Sequence, residues 1–261
     1  MRVHHKQLKH FKNKEQIKLA SINGIHFFHN NEVSAHDIYN EVFIDKIYDF
    51  QINKLEPVII DAGSNIGLSM LFFKKQFPNA KITCFEPDPY IFPILSRNIA
   101  LNHLDDVKTL NAALSKKIGY VRFYGEFGCE ADARGNSIID IWGKQRKTSN
   151  SILVKALPLS SFITQEIDLL KLDIEGAEQQ VLEELGNKLL LVKNILIEVH
   201  EAKGMNMMNS IRKVVSILEK YGFDLTITEV DIRDALPIEV DKWSRSVSPK
   251  LFMVKGTKIE N

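Results

Sequence analysis

Val58-Ile59-Ile60-Asp61-Ala62-Gly63-Ser64-Asn65-Ile66-Gly67 is the stretch of sequence that decides the fold. Its first three residues are apolar and predict a buried strand that ends at Asp61, and apolar residues at helical spacing follow up to Phe77. Gly63 and Gly67 lie in the turn between strand and helix, where the lack of a side chain lets a ligand approach the backbone closely. The stretch therefore predicts a nucleoside-binding turn, although two glycines alone would also suit a purely structural turn.

Apolar strands and amphipathic helices alternate after this stretch. Such alternation is typical of a mostly parallel sheet that is covered by helices on both faces. Two late apolar segments are expected to close the sheet. We therefore predict an α/β fold built on a mostly parallel, seven-stranded sheet. The predicted strands are 58–60, 82–85, about 107–113, 167–174, 195–199, 223–228 and 251–254, and the predicted helices run from Asp88 towards Leu101, over 177–189, and over 208–218 with Gly222 as terminator.

Two regions fall outside this alternation. Residues 1–50 form a mixed leader or cap with a hairpin predicted around Asn23-Gly24, and the basic residues between Arg2 and Lys18 are expected to be solvated. Residues 126–151 contain few large apolar side chains and several glycines, which predicts a loop or lid on the acceptor side. We assign residues 51–261 to one main domain.

Composition excludes several classes of protein. The 261 residues carry a formal charge of +1, so no overall field draws the chain to nucleic acid or to an anionic membrane. No apolar run is long enough for a signal peptide or a membrane span. Cys84 and Cys129 lie in dissimilar surroundings and are not expected to form a disulfide. These features predict a cytoplasmic protein without a nucleic-acid partner; the oligomeric state does not follow from them, and a homodimer is one state that they allow.

Glu86 and Pro87 follow the second predicted strand, where a carboxylate can accept hydrogen bonds from both hydroxyls of a ribose. A dinucleotide-binding turn would more usually have the pattern G-x-G-x-x-G, whereas here the anionic Asp61 precedes the turn and would repel a phosphate. A cationic ligand without phosphate, such as S-adenosylmethionine, suits Asp61 because its ammonium group can pair with a carboxylate. The residues therefore favour S-adenosylmethionine as the cofactor.

The most distinctive stretch is residues 167–178, in which a strand with the sequence Ile-Asp-Leu-Leu-Lys-Leu-Asp runs into a helix through Ile-Glu-Gly-Ala-Glu. The two-residue period of a strand places Lys171 and Asp173 on one face, where an ion pair would keep Asp173 ionised at the ligand-binding edge of the sheet. Glu175 and Glu178 could instead merely complement the dipole of the following helix. We adopt that interpretation for Glu178 and leave both open for Glu175.

The fifth predicted strand ends with Glu198-Val199-His200, which places two titratable side chains on one face. A histidine oriented by a glutamate can act as a general base, although a histidine at a strand end is commonly a structural residue. Its expected position beside Asp173 favours the catalytic interpretation. The spacing of these side chains specifies no metal site, and none is predicted.

These motifs resemble those of the FkbM family of S-adenosylmethionine-dependent methyltransferases, and the resemblance extends over about residues 57–200. It implies a Rossmann-like class I methyltransferase fold. Members of this family methylate hydroxyls on sugars, polyketides and related metabolites. The resemblance rests on Asp61 to Gly67, Glu86-Pro87, Ala112-Ala113-Leu114-Ser115 and 170–178. The residues implied around the cofactor are Asp61, Gly63, Ser64, Asn65 and Gly67 at the methionine end, Glu86 and Pro87 at the ribose, Asn111 and Ala112 near the adenine, and Asp173 beside them.

The sequence thus predicts an O-methyltransferase that acts on a hydroxyl of a sugar, glycan or related small metabolite. Asp173 and His200 are the candidate bases, and Glu175 and Glu198 are expected to orient the acceptor or the base. The alternatives are an RNA ribose or protein methyltransferase and a non-catalytic nucleoside-binding module. Base N-methylation is disfavoured because no Asn-Pro-Pro-aromatic tetrapeptide follows the fourth strand.

Overall fold

The computed structural model describes residues 17–128, 130–205, 207–230 and 246–259. In chain order its strands are β1 (Lys18–Ile22), β2 (Ile25–His29), β3 (Val58–Ala62), β4 (Lys81–Phe85), β5 (Val107–Leu110), β6 (Ala113–Leu114), β7 (Gly119–Gly125), β8 (Asn150–Leu157), β9 (Leu169–Leu172), β10 (Asn194–Glu201), β11 (Phe223–Val230) and β12 (Lys250–Lys258). Its α-helices are α1 (Glu32–Tyr39), α2 (Leu68–Gln76), α3 (Phe92–Leu101), α4 (Asp140–Gly143), α5 (Glu178–Leu185) and α6 (Ile211–Lys220). A π-helical turn (Asn40–Ile44) and two 3-10 segments (Leu159–Phe162 and Gly186–Leu191) complete the helical structure of the described residues.

The central sheet has seven strands in the order β11-β12-β10-β9-β3-β4-β5. Five of them run parallel, and the hairpin of β11 and β12 adds two antiparallel strands beside β10. The chain leaves β3 towards β4 on one side and later returns to β9 on its other side, so the strand order reverses there. Open parallel sheets bind ligands at such a reversal, outside the carboxyl ends of the strands. The predicted fold is confirmed.

Both faces of this sheet are covered, because alternate residues of its strands belong to two apolar clusters. Ile59 belongs with Met70 and Phe73 of α2 in one cluster. Ile60 belongs to the other cluster, with Val181 of α5 and residues of α6. Since these side chains are almost completely buried, each contributes about 1.5 to 3 kcal/mol to folding. The packing fixes the strand ends from which the functional side chains extend.

A second sheet, β6-β8-β7, was not predicted. The prediction of a single strand over about 107–113 is wrong, because β5 ends at Leu110 and Ala113 already pairs with β8. The lid predicted over 126–151 is irregular apart from α4, but β8 takes over at Asn150. The alternation of exposed and buried residues along β7 is the period-two signal that could have revealed this sheet.

The described part of the N-terminal region covers one edge of the molecule. The predicted hairpin of β1 and β2 is confirmed, and its turn residues Asn23 and Gly24 both have positive φ angles, as a two-residue hairpin turn requires. The helix α1 follows, capped by the side chain of Asn31. Phe27 and Tyr39 are buried in the same cluster as α2. The basic residues from Arg2 to Lys14 and the residue Cys129 lie outside the described residues. Within the described ranges, every helix is too short or too polar to cross a membrane.

Candidate active site

A cavity of about 250 Å³ opens at the carboxyl ends of β3, β4, β9 and β10. Its lining combines the glycine turn after β3, the Glu86-Pro87 pair after β4, and the acidic side chains after β9 and in β10. The segment 126–149 supplies a further wall. The cavity therefore lies where the strand order reverses, and it brings together motifs from distant parts of the sequence.

Gly63 holds the turn against the end of β9. Its φ angle is +78°, and a Cβ atom placed on it would lie 1.7 Å from the backbone oxygen of Asp173. The backbone N–H groups of Gly63 and Ser64 both donate to the carbonyl of Phe85 at 3.0 Å. The sequence predicted that glycine would allow a ligand to approach, whereas the structure shows that Gly63 allows the strand-end loop of Asp173 to approach. The two halves of the site are thus in direct backbone contact.

Glu86 is a buried carboxylate in the cavity wall, only 6% exposed. Its Oε2 accepts a hydrogen bond from the N–H of Asn65 at 2.8 Å, and its Oε1 accepts one from the N–H of Asp88 at the same distance. Burial and the negative charge of Asp88 raise the pKa of Glu86 to about 8, against a smaller opposing effect of Lys171. These two backbone hydrogen bonds hold the Glu86 side chain at a fixed place in the cavity wall. They also fix the direction of the lone pairs that remain on its two oxygens.

The raised pKa of Glu86 predicts that the ligand-free protein loses stability as the pH rises. Between about 4.5 and about 8 the folded state keeps a proton on Glu86 that the unfolded chain has already lost, so folding takes up a proton and the free energy of unfolding falls with pH. Above that window the contribution is constant. We expect the melting temperature of the wild type to fall more steeply across the window than that of Glu86→Gln, which cannot titrate. Parallel curves for the two proteins would contradict the assignment.

Asp61 does not line the cavity, contrary to its expected pairing with a ligand ammonium. It is completely buried, its Oδ2 accepts a hydrogen bond from Ser69 Oγ at 2.7 Å, and its Oδ1 lies 3.3 Å from Nζ of Lys171. Lys171 Nζ also donates to the carbonyl of Gly63 at 2.8 Å. The negative charge of Asp61 is therefore directed to an internal cation that ties the turn to β9.

The predicted pairing of Lys171 with Asp173 is confirmed, with 3.4 Å between Nζ and Oδ2. Burial lowers the pKa of Lys171, but Asp173 and Asp61 outweigh it, so the net pKa is above the ordinary value and the amine is charged. Tyr48 completes this group: its hydroxyl donates to Asp173 Oδ2 at 3.1 Å and bonds to Glu198 Oε1. Burial and the charge of Asp173 raise the pKa of Glu198 to about 8. Tyr48 was not predicted, because nothing in the local sequence links it to a strand end 125 residues away.

His200 is paired differently from the expectation. Glu198, predicted to orient it, bonds to Tyr48 instead, and the Nδ1 atom of His200 lies 3.2 Å from Oε1 of Glu178. Its Nε2 atom lies 3.3 Å from Oε2 of Glu175 and 3.9 Å from Oδ1 of Asp173. Burial lowers the pKa of His200, but Glu175 and Glu178 raise it by more, so the net pKa is well above its ordinary value.

Glu178 does lie in the first turn of α5, but the interpretation of it as only a dipole partner is wrong. It is completely buried and accepts hydrogen bonds from the N–H groups of Ile174 and Gly176, at 3.2 and 3.0 Å, and from the side chain of Asn209. These contacts, together with the one to His200, connect the strand-end loop to β10. The helix position was visible in the sequence, but the burial was not.

The segment 126–149 meets this cluster at Glu175. Trp142 Nε1 donates to Glu175 Oε2 at 2.5 Å, and the N–H of Gly135 donates to Oε1 at 3.2 Å. The ring of Trp142 also packs edge-on against His200, with 5.0 Å between ring centroids. On its other side the segment contacts the N-terminal region, where Arg134 forms an ion pair with Asp37 at 2.8 Å. The segment is thus a wall of the cavity that is attached to the loop after β9.

Residues 61–225 match the family model described as the methyltransferase FkbM domain. The chain belongs to the FkbM methyltransferase family. It is an S-adenosylmethionine-dependent methyltransferase. The match begins at Asp61, the next-to-last residue of β3, and extends into β11, so it contains four of the five parallel strands completely.

Two relatives of this FkbM-family chain are methyltransferases by name. It is 32% identical over 238 residues to the methyltransferase sdnD of Sordaria araneosa, which covers 80% of this chain and 90% of that protein. It is 29% identical over 230 residues to the 31-O-demethyl-FK506 methyltransferase FkbM of Streptomyces tacrolimicus, which covers 77% of this chain and 86% of that protein. The crystal structure of P. horikoshii TYW2 in complex with MeSAdo gives a TM-score of 0.51 at 15% identity, over 94% of this chain and 72% of that chain, and shows a shared fold.

The cavity of this FkbM-family chain is lined by most of the site residues that were predicted from the sequence. All four candidate catalytic side chains line it, although only Asp173 and Lys171 have the pairing that was expected. Asn111 instead donates through Nδ2 to the carbonyls of Glu86 and Pro87, and Gly67 packs against apolar side chains. Of the residues predicted around the cofactor, those that line the cavity are Gly63, Ser64, Asn65, Glu86, Pro87, Ala112 and Asp173, and those that do not are Asp61, Gly67 and Asn111.

Proposed function

We propose that this FkbM-family methyltransferase binds S-adenosylmethionine in the cavity and transfers the methyl group to a hydroxyl of a sugar, glycan or related small metabolite. The observation that carries the proposal is the joining of two subsites in one cavity. The glycine turn and Glu86 form one of them, and the cluster around Asp173 and His200 forms the other.

The residues of the first subsite fit the cofactor. Glu86 is a carboxylate held by two backbone N–H groups, which suits a ribose diol, and Ala112 offers a small apolar surface for an adenine. Asp61 is paired internally, and the N–H groups of Gly63, Ser64 and Asn65 are already bonded within the fold. The backbone carbonyls of this turn are therefore the groups that we assign to the ammonium of the amino-acid end.

S-adenosylmethionine supplies an electrophilic methyl group, so most of the catalysis is positioning of the acceptor oxygen and exclusion of water. An alcohol proton is hardly acidic at neutral pH, and Asp173 is the carboxylate we assign to take it as the new bond forms. Lys171 and Tyr48 fix its Oδ2 atom. Both ring nitrogens of His200 face carboxylates, so we now assign His200 to holding the cluster and not to taking the proton.

The wall formed by residues 126–149 supports a small hydroxylated acceptor. It presents polar side chains to the cavity, among them Asn136, Gln145 and Arg146. The segment contacts Glu175 on one side and the N-terminal cap on the other, which limits the space for a bulky polymer. The name of the Streptomyces tacrolimicus relative describes a substrate that lacks an O-methyl group, which supports transfer to oxygen.

Binding of the cofactor is the first test of this function. We expect S-adenosylmethionine to bind with one site per chain and to raise the melting temperature, because a ligand at 100 times its Kd stabilises the folded state by about 2.7 kcal/mol. At a pH above about 8, where Glu86 is ionised, Glu86→Ala should weaken binding by about 10- to 150-fold, the equivalent of the ~1.5 to 3 kcal/mol that hydrogen bonds to a charged group contribute. Isothermal calorimetry measures the number of sites and the two affinities, and a thermal-shift titration measures the melting temperature.

Glu56→Ala is the matched control, because Glu56 is an exposed carboxylate just before the amino end of β3 and pairs only with Lys81 among the residues that the structure describes. Its affinity for the cofactor should equal that of the wild type. Absence of binding by the wild type would favour a module that has lost the chemistry, and equal affinities for Glu86→Ala and the control would remove Glu86 from the site.

A further inference from the structure

Asp173, Glu175 and His200 direct one ligand atom each towards a common point in the cavity. The imidazole Nε2 lies 3.3 Å from Oε2 of Glu175 and 3.9 Å from Oδ1 of Asp173, and the three atoms lie within 4.8 Å of one another. Ligand atoms bound at ~2.1 Å to one divalent cation are separated by roughly 3 to 3.5 Å. Small side-chain adjustments would bring these three atoms to that spacing.

The imidazole is presented in the way that a metal-binding histidine requires. His200 is 4% exposed, and its Nδ1 is paired with Glu178, itself completely buried. Nε2 faces the other two carboxylates, Glu175 at 3.3 Å and Asp173 at 3.9 Å. Metal-binding histidines commonly donate the proton of one ring nitrogen to a carboxylate, which fixes the tautomer and turns the other nitrogen to the metal.

The two carboxylates are also held in place by groups outside the triad. Trp142 and the N–H of Gly135 each bond to one oxygen of Glu175. Tyr48 bonds to Oδ2 of Asp173, which leaves Oδ1 as the oxygen nearest His200. Each of the three ligands therefore has its own supporting hydrogen bond, and such partners tune metal sites as much as the ligands do.

We infer that Asp173, Glu175 and His200 form a binding site for one divalent cation that holds the acceptor hydroxyl. The role of the cation rests on the proposed function, whereas the binding of the cation to these three residues does not. Three protein ligands leave coordination positions open for a substrate oxygen. A mixture of one imidazole and two carboxylates suits first-row cations such as Mn²⁺.

In this arrangement the cation makes the hydroxyl more acidic and fixes its oxygen. The C–O bond forms as the C–S bond breaks, the electron pair of that bond stays on sulfur, and the proton of the hydroxyl passes to Oδ2 of Asp173, the carboxylate oxygen that does not bind the cation. Residue spacing did not predict this site, because its ligands come from the loop after β9 and from β10, which are 25 or more residues apart in the chain.

Binding of Mn²⁺ to the full chain, freed of metal by a chelator, tests the inference without an activity assay. We expect one Mn²⁺ per chain by calorimetry and by the electron paramagnetic resonance signal of free Mn²⁺, measured with S-adenosylhomocysteine present. Glu175→Gln keeps the volume of the side chain and an acceptor for Trp142, and it should weaken Mn²⁺ binding by about 10-fold or more. His200→Ala should do the same.

Glu198→Gln is the matched control, because Glu198 is a neighbouring carboxylate that pairs with Tyr48 and lies outside the triad. Its Mn²⁺ affinity should stay within about twofold of the wild type. A thermal shift with S-adenosylhomocysteine reports whether each variant is folded. No Mn²⁺ binding by a wild type that still binds S-adenosylhomocysteine would overturn the cation site and leave the methyltransferase function standing. Unchanged Mn²⁺ binding in folded Glu175→Gln would overturn it as well.

Discussion

Asp173→Asn should reduce methyl transfer by about 10² to 10⁴-fold while the affinity for S-adenosylmethionine stays within a few-fold of the wild type, because general-base catalysis contributes a factor of that size. The amide keeps the shape of the side chain and can still accept the hydrogen bond from Tyr48, but it cannot take a proton. The loss should appear in kcat, measured with an acceptor in single-turnover experiments, and cofactor affinity should be measured separately by calorimetry.

Asp168→Asn is a suitable control, since Asp168 is also a buried carboxylate next to β9 but stands at the amino end of that strand. It pairs with Lys54 at 2.7 Å and accepts a hydrogen bond from the N–H of Val58 at 2.8 Å. This variant should lower the melting temperature and leave kcat unchanged at temperatures where it is folded. Equal turnover by Asp173→Asn and the wild type would remove Asp173 from the chemistry and would leave the cofactor site unaffected.

The backbone of the site was predictable because local patterns determine it. The strand before Asp61 begins with a continuous apolar segment, and the strand before Asp173 is apolar except for Lys171. Both are short, lie next to turn residues and end within a few residues of the predicted positions. The side-chain face of Lys171 followed from the two-residue period of a strand, so its pairing with Asp173 was predictable as well.

The partners of the site were not predictable in the same way, because they depend on how distant segments pack. Tyr48 enters from the N-terminal cap, Trp142 from the short helix α4 and Asn209 from the loop before α6. None of these has a local pattern that distinguishes it from a core or surface residue. Glu178 shows the same limit: a glutamate in the first turn of a helix is normally solvated, and only the fold places it beneath His200.

Lys171 explains why the two motifs of the family stand where they do. Its amine is completely enclosed, lies between Asp61 and Asp173 and donates to the carbonyl of Gly63. Loss of either carboxylate would leave this buried cation with one counter-ion in place of two, and breaking a buried ion pair costs about 3 to 5 kcal/mol. The pairing therefore links the turn after β3 to the loop after β9 electrostatically, at the same point where Gly63 joins them sterically.

Gly63→Ala should destabilise the protein more than an ordinary loss of a turn glycine, because the new Cβ would lie 1.7 Å from the backbone oxygen of Asp173. The positive φ angle costs about 1 to 2 kcal/mol for a residue with a Cβ. Overpacking adds about 1 to 3 kcal/mol or more, since a backbone oxygen cannot swing away as a side chain can. We expect a total loss of roughly 2 to 5 kcal/mol in the free energy of unfolding, measured by urea titration, from a total of about 5 to 15.

Gly24→Ala separates the two contributions. Gly24 has the same φ angle of +78°, but nothing lies within 4 Å of the position that its Cβ would take. This variant should therefore lose only the conformational part, about 1 to 2 kcal/mol, and should bind S-adenosylmethionine like the wild type. Gly63→Ala should bind it weakly even where it is folded, because relieving the clash has to move the turn away from the loop that carries Asp173. Equal losses of stability in the two variants would show that the close approach at Gly63 does not constrain the site.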